Sequence, residues 1–287
     1  MTAARAERRT GQAFQGSISY QLSRFPWWAL FVLMVGLLLV YNFFTNETYT
    51  NIFNFLVRGV LLTIQITITA YLFALILGLT TALMQLSSNI VFRNIAQLYV
   101  QVVRGVPIIV QITYWVIVIF PFFVDQVNAL GVSLAESGRL APDNWMIDFR
   151  VAQVTRGVIA LAFSYGAFSS EIFRAGIQSI EKGQVEAGKA IGLTWFQSFR
   201  YVILPQALRR VLPPLGNDFI AMLKESSLLS VIGINEITLQ SKQYAARSFL
   251  FLETYTTGAF LYLSMTLLLS MGVRLMERRM KSDIRNE

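Results

Sequence analysis

The segment LGNDFIAMLKESSLLSVIGI, residues 215–234, carries four side chains that could do chemistry in an otherwise apolar stretch: Asn217, Asp218, Lys224 and Glu225. At 100° per residue, Asn217 and Lys224 share one helical face and the two carboxylates lie on its flank. Charges on such a helix are costly unless they face protein or water. Two interpretations stay open: an internal ion pair from Lys224 to Glu225 or Asp218 that only orients helices, or the lining of a solute path.

Three further residues join these candidates. Glu171 and Arg174, at i and i+3, can pair on a helix surface, either as a plain ion pair at the helix end or beside a solute path. Gln65 is a single amide in an apolar run, where hydrogen bonding between helices is the simpler interpretation. The chain contains neither histidine nor cysteine. Zinc sites, thiolate chemistry and histidine-based catalysis are therefore excluded, and we expect no catalytic residue and no metal site.

The composition determines the environment of these residues. Of 287 residues, 55% are hydrophobic and 14% are charged, and the mean hydropathy is +0.54. A soluble domain has too small a core to bury that much apolar surface, so we predict an integral membrane protein. The net charge of +8 does not indicate a nucleic-acid partner. Lys and Arg gather in the two tails and in one central segment, which is the bias of cytoplasmic loops.

Apolar runs long enough to cross a membrane must position the candidate residues. A span needs roughly 20 residues. Five runs meet this length, near residues 26–44, 57–84, 97–123, 154–176 and 254–276. Residues 215–234 form a sixth, weaker span, which is needed to bring both basic tails, 1–25 and 281–287, to the cytoplasmic side. The predicted fold is therefore all-α and polytopic, with about six transmembrane helices, and the acidic loop near residues 124–152 lies outside.

Glycine and proline predict where helices are interrupted. Gly105 and Pro107, inside the run 97–123, indicate a kinked or broken helix. In the central segment 178–214, the break Gly192-Leu193-Thr194 predicts two short cytoplasmic helices joined by a tight turn, with Thr194 as the cap of the second.

Two proline sites bear on the second of these short helices. Pro205 is expected to end or kink it, and Pro213-Pro214 to terminate it. Small residues on the first short helix leave room for another surface to approach. From the residues alone, a helix pair lying on the membrane and a site for a protein partner are equally favoured.

Two stretches of the chain resemble a known family. Glu186-Ala187-Gly188, then Gly192, then Leu204-Pro205 match the loop signature of permease subunits of ABC importers, with Gly188 in place of the usual second alanine. The stretch RGVPIIVQ, residues 104–111, is similar to a motif of the polar amino acid uptake branch, with Val106 in place of threonine. The resemblance runs from about residue 55 to 280, so it leaves the span 26–44 as an extra N-terminal helix.

The resemblance implies a function that the composition does not. It implies that the permease domain, residues 55–280, imports a polar amino acid by alternating access across a bacterial cytoplasmic membrane. The loop 178–214 would carry the coupling helices, which dock on a separate ATP-binding subunit. The residues implied in docking are Glu186, Ala187, Gly188, Gly192, Leu204 and Pro205.

The implied partners follow from the same resemblance. They are the ATP-binding subunit, which would bind ATP and Mg, a second identical or paralogous permease, and an external solute-binding protein. This chain has no GxxxxGK[ST] phosphate loop and is expected to hold no cofactor itself. The alternative function is an ion-coupled secondary transporter or channel, which inverted internal repeats would favour. A membrane enzyme is disfavoured by the lack of a nucleophile with a histidine base.

Overall fold

The structure, a computed structural model, describes residues 27–141 and 143–284. The predicted tail 1–25 lies outside the described residues, as do residues 285–287 of the C-terminal tail. Within the described ranges the chain is helical and contains no strand. The α-helices are α1 (Trp27–Thr45), α2 (Glu47–Gln85), α3 (Ile90–Gly105), α4 (Ile108–Tyr114), α5 (Phe120–Glu136), α6 (Gln153–Gln178), α7 (Lys182–Ala190), α8 (Trp195–Ser198), α9 (Leu204–Glu225), α10 (Ile237–Ser248) and α11 (Phe251–Ile284).

The all-α prediction is confirmed, and three helical segments are long and apolar enough to cross a membrane. They are Glu47–Gln85, Ile108–Glu136 and Phe251–Met280. A shorter apolar helix covers Leu30–Thr45 and overlaps the run 26–44 that was predicted as the extra N-terminal span. Many large apolar side chains on these helices are exposed, as a lipid-facing surface requires, among them Leu61, Phe73, Phe122 and Leu268. The number of six spans stays a prediction.

The chain divides into two compact units at the boundary between Asn51 and Ile52. In the smaller unit, α1 ends at Thr45 and α2 begins at Glu47. The side chain of Asn46, between them, accepts a hydrogen bond of 3.0 Å from the backbone N–H of Thr48 and so caps the start of α2.

The core of the larger unit lies where α2, α4, α6 and α9 meet. Its fully buried side chains include Ile66 on α2, Ile112 on α4, Leu161 on α6 and Met222 on α9. Small residues allow these helices to approach closely: a Cβ placed on Gly78 of α2 would lie 2.9 Å from the Cβ of Ser169 on α6. Helix α6 thus packs closely on α2, and its other contacts bring it against α9.

The prediction that Pro213-Pro214 terminate the second short helix is wrong. Helix α9 runs through both prolines and continues to Glu225, where a 3-10 helix, Ser226–Ile232, takes over. A proline in a helix costs about 3 kcal/mol. We attribute its tolerance here to burial of Ala207, Val211 and Leu215 along one side of the same helix. The predicted span 215–234 therefore does not begin as a separate helix, because α9 already starts at Leu204. Its last third is a 3-10 helix.

Pro205 lies in the first turn of α9, directly after a π-helical turn, Phe199–Ile203. A π-turn is wider than an α-turn and leaves room for the proline ring. The predicted irregularity at Pro205 is therefore a change of helix type rather than an end of the helical stretch.

Candidate functional site

The predicted interruption near Pro107 is present, and a glutamine fills it. Helix α3 ends at Gly105 and α4 begins at Ile108, which leaves the backbone carbonyls before Pro107 without helical partners. The Gln111 side chain donates hydrogen bonds of 2.6 Å to the carbonyls of Val103 and Val106. Its own oxygen accepts one of 2.7 Å from the Ser164 hydroxyl on α6. The buried side-chain amide of Gln111 thus hydrogen-bonds the free carbonyls at the break and links the break to α6.

Residues of α3, α6 and α9 line an open cavity of about 650 Å³, which we name the arginine vestibule. Its charged lining consists of three guanidinium groups and two carboxylates: Arg104, Arg174, Arg210, Glu171 and Asp218. The structure therefore brings together three of the predicted site residues, from two helices, and adds two arginines that were not among the predicted site residues.

Glu171 and Arg174 form the local pair that their spacing predicted. The guanidinium donates from Nε to one carboxylate oxygen at 3.1 Å and from Nη2 to the other at 2.6 Å. A third hydrogen bond, of 2.9 Å, reaches the side chain of Gln178. Two parallel N–H donors on one carboxylate make this the strong, directional form of ion pair. Both side chains are about one quarter to one third exposed, so the pair borders the cavity.

Asp218 contributes to the α9 wall of the vestibule. Its carboxylate accepts a hydrogen bond of 2.8 Å from the hydroxyl of Ser169 on α6. The hydroxyl of Tyr71 on α2 lies beside the same carboxylate and donates a hydrogen bond of 2.6 Å to the backbone carbonyl of Leu215. Three helices therefore position this one acid, which the sequence could place only on a helix flank.

The remaining candidates on α9 do not form the internal ion pair considered above. Lys224 is exposed and makes no ion pair within the described residues. Asn217 is exposed on the same side. Glu225 lies beside the hydroxyl of Tyr165, and its Oε2 is buried without a hydrogen-bond partner in the described part of the chain. Because neither Asn217 nor Lys224 is covered by this chain, each needs water or another protein at membrane depth.

Gln65 lies apart from this cluster. It is exposed and lines a separate, mostly apolar groove between α2 and α6, together with Leu62, Phe73 and Val158. The groove does not include any of the charged candidates.

The tight turn predicted in the central segment is present between α7 and α8, and local hydrogen bonds form it. The second predicted helix is not a separate short one, because α8 has four residues and runs through the π-turn into α9. Gly192 has φ +84°, and the backbone N–H of Leu193 donates to the carbonyl of Gly188 at 3.0 Å, which closes α7 as a Schellman motif. The Thr194 hydroxyl accepts from the backbone N–H of Gln197 at 3.3 Å, and the Gln197 side chain accepts from the Thr194 N–H at 2.8 Å. This reciprocal pair is a capping box, so Thr194 caps α8 as predicted.

The loop exposes large apolar side chains rather than burying them. Ile191, Phe196 and Tyr201 are 77%, 68% and 70% exposed. Gly188 is buried, because the Ser198 hydroxyl lies 3.1 Å from the position that a Cβ would take there, whereas a Cβ on Gly192 would meet nothing within 4 Å. Exposed apolar groups beside a rigid turn are typical of a surface that another protein or the membrane covers.

The other residues predicted for docking lie along the same segment. Glu186 on α7 is exposed, Leu204 is partly buried, and Pro205 is exposed at the start of α9. The backbone of Ala187 is part of α7. Their role in docking stays a prediction.

One buried acid was missed. Glu236 is completely buried at the start of α10, where its carboxylate accepts hydrogen bonds of 2.8 and 2.9 Å from the backbone N–H groups of Thr238 and Leu239. The Tyr262 hydroxyl on α11 donates to it at 2.6 Å. An acid just before a helical stretch is an N-terminal capping signal that the sequence did contain. The contact with Tyr262 had no local signal.

These features define a class: a membrane-spanning helical protein, with charged groups between its helices and an exposed helical loop. The sequence matches the model of one family over residues 70–282, "Binding-protein-dependent transport system inner membrane component". The match covers most of the chain, and the protein belongs to this family.

Individual relatives agree with this assignment. The glutamine transport system permease protein of Escherichia coli K12 is 36% identical over 226 residues, which cover 79% of this chain and 93% of that protein. A probable amino-acid permease protein of Bacillus subtilis is 34% identical over 83% of this chain and 97% of its own length. The crystal structure of an amino acid ABC transporter with histidines superposes with a TM-score of 0.65 at 34% identity, covering 83% of this chain and 98% of that one.

Proposed function

We propose that this chain is the membrane-spanning subunit of an ATP-driven importer that carries a polar amino acid inward by alternating access. A separate ATP-binding subunit would bind ATP and Mg and supply the energy, and an external solute-binding protein would deliver the amino acid. The family supports the transport role, and relatives named for glutamine, arginine and L-cystine transport support an amino acid as cargo. Both termini are proposed to lie in the cytoplasm of a bacterial cell.

The observation that carries the proposal is the geometry of residues 182–203. A Schellman motif and a capping box fix the angle between α7 and α8 without help from the membrane helices. The loop continues without a break in the helical stretch into α9, which holds Asp218 and Glu225. A partner that moves the loop would therefore move the helix with the polar groups. This is the mechanical link that coupling to ATP needs.

The substrate path is proposed to run along the polar side of α9. Asn217 and Lys224 are exposed on the isolated chain, and both are costly in lipid. A second permease, identical or paralogous, would cover that side and enclose a water-filled path between the two copies. Asp218 and Glu225 would then offer carboxylates to the ammonium group of an amino acid.

Replacing Gly192 by aspartate tests the coupling. We expect Gly192→Asp to insert in the membrane but to lose the ATP-binding subunit and ATP-dependent uptake, because the new side chain occupies space that the docked partner needs. The measurement is co-purification of the ATP-binding subunit in mild detergent, with ATPase activity and uptake assayed on the same sample.

Gly138→Asp is the matched control for this test. Gly138 also has a positive φ, +71°, and open space around its Cβ position, but it lies in the loop predicted to be external. Both variants therefore suffer the same backbone strain, of about 1 kcal/mol. Equal retention of the partner by the two variants would disprove the docking role of residue 192. A wild-type chain that transports without any ATP-binding partner would favour ion-coupled transport instead.

A further inference from the structure

Among the three arginines that line the vestibule, Arg104 is the one whose side chain makes no hydrogen bond within the described residues. Arg174 is engaged by both oxygens of Glu171 and by Gln178, and Arg210 donates to the backbone carbonyl of Ser179. The closest approach of Arg104 to an acid is 3.7 Å, from Nη1 to Oε2 of Glu171, which is too long for a hydrogen bond. Within the described residues its side chain has no hydrogen-bond acceptor.

The position of Arg104 is nevertheless well defined. Its guanidinium carbon lies 5.7 Å from the centre of the Phe168 ring, which orients the planar group by a cation–π contact. The side chain is 46% exposed towards the cavity. An oriented guanidinium with free N–H donors matches the two oxygens of a carboxylate, and this geometry distinguishes arginine from lysine.

The surroundings select among possible anions. Asp218 lines the same cavity, and its carboxylate would attract an ammonium group, which a zwitterion has and a phosphate lacks. A zwitterionic amino acid supplies both an anion for Arg104 and a cation for Asp218. Arg104 also lies directly before the break at residues 105–107, where the apolar span Ile108–Glu136 begins, and backbone irregularities of this kind are tolerated where they line a cavity.

We propose that Arg104 binds the α-carboxylate of the transported amino acid, with Asp218 facing its ammonium group. The inference rests on the proposed function, because it assumes that an amino acid is the cargo. It assigns to Arg104 the recognition of the α-carboxylate, which all amino acids share, rather than of the side chain, which differs between them.

The first experiment separates the two proposals. The complete importer, reconstituted in proteoliposomes with its solute-binding protein, is assayed for ATP-dependent uptake of L-glutamine, L-arginine and L-cystine. Uptake of at least one supports the proposed function and selects the probe. Failure to take up any of the three would count against that function and remove the basis for the role of Arg104.

The second experiment tests Arg104 directly. Equilibrium binding to the importer in nanodiscs, without the solute-binding protein, is measured for the selected amino acid and for the amine in which hydrogen replaces every α-carboxylate, one in glutamine and arginine and two in cystine. These amines are 4-aminobutanamide, agmatine and cystamine. We expect wild type to prefer the amino acid over the amine by roughly tenfold or more, since hydrogen bonds to charged groups are the strong ones. In Arg104→Gln that ratio should fall to about one.

Two further variants keep the test decisive. Arg104→Lys retains the charge but not the paired donors, and its ratio should lie between those of Arg104→Gln and wild type, so it serves even if the glutamine variant does not fold. Arg93→Gln removes a charge from the same helix as Arg104 but outside the vestibule, and it should keep the wild-type ratio. An unchanged ratio in both Arg104 variants, in an importer that takes up the amino acid, would overturn the inference and leave the proposed function standing.

Discussion

Two interruptions in the helices of this chain pose the same chemical problem in different surroundings. At residues 105–107, between α3 and α4, and at residues 191–194, between α7 and α8, backbone groups lose their helical partners, and a glutamine side chain helps to replace them. At the first break Gln111 is buried, with 8% of its surface exposed, and reaches back to two carbonyls. At the second, Gln197 is exposed and reaches back to the N–H of Thr194.

The two sites differ in what could hydrogen-bond the free backbone groups if the glutamine were removed. Water can reach the exposed turn and hydrogen-bond whatever the side chain leaves free, so the net value of the capping contact is small. At the buried break there is no such substitute, and an unsatisfied carbonyl costs its full desolvation. We therefore expect the same Gln→Leu substitution to lower the stability more at the buried break than at the exposed turn.

The largest effect is expected at Gln111. Gln111→Leu keeps the size of the side chain but leaves the carbonyls of Val103 and Val106 without donors. At about 1–3 kcal/mol for each unsatisfied group, the loss is roughly 2–6 kcal/mol. For a chain of this size we expect the thermal unfolding temperature in detergent to fall by roughly 10 °C. Gln65→Leu, the same change at an exposed amide, is the control and should stay close to wild type. Equal melting of the two variants would show that water enters the break.

A smaller effect is expected at the partner of Gln111 on α6. The Ser164 hydroxyl is completely buried and donates to Gln111 Oε1 at 2.7 Å. Ser164→Ala leaves that oxygen without its donor but leaves both carbonyl contacts of the amide intact. We expect a loss of about 1–2 kcal/mol, again read from the unfolding temperature.

The double variant tests whether serine and glutamine act as one unit. In Gln111→Leu/Ser164→Ala the loss should be smaller than the sum of the two single losses, because the serine no longer has an amide to orient. Strictly additive losses would mean that Ser164 contributes through its bond to the carbonyl of Ala160 alone.

How much of this was visible in the sequence depends on the distance along the chain between the interacting residues. The turn at Gly192, the cap at Thr194 and the pair Glu171 and Arg174 involve residues at most four or five positions apart, and their spacing predicted them. The break at Pro107 was predicted as well, because proline removes a donor wherever it stands. Ser164, which completes the break from α6, is 53 residues from Gln111 and had no signal in the sequence. Gln111 is an exception to the rule of distance, since it is five residues from Val106, but no standard capping pattern predicts a glutamine that bonds backward across a proline break.

The arginine vestibule shows the other limit. Arg104 and Asp218 lie on α3 and α9 and share a cavity only because both helices pack against α6. Proline rules gave the wrong end for α9, since burial of its apolar side outweighs two prolines. Residues far apart in sequence thus make up the polar site, whereas the loop is assembled from neighbours, and only the second arrangement can be read from spacing.

The smallest effect is expected at Gln197, and it decides whether the comparison holds. Gln197→Leu removes the half of the capping box that accepts from the Thr194 N–H, while the Thr194 hydroxyl can still cap the backbone N–H of residue 197. Because water replaces the lost acceptor at this exposed position, the loss should be about 0.5 kcal/mol, and the unfolding temperature should change by no more than about 2 °C. A loss as large as that of Gln111→Leu would mean that the turn is as dependent on its glutamine as the buried break. Burial would then not be what separates the two interruptions.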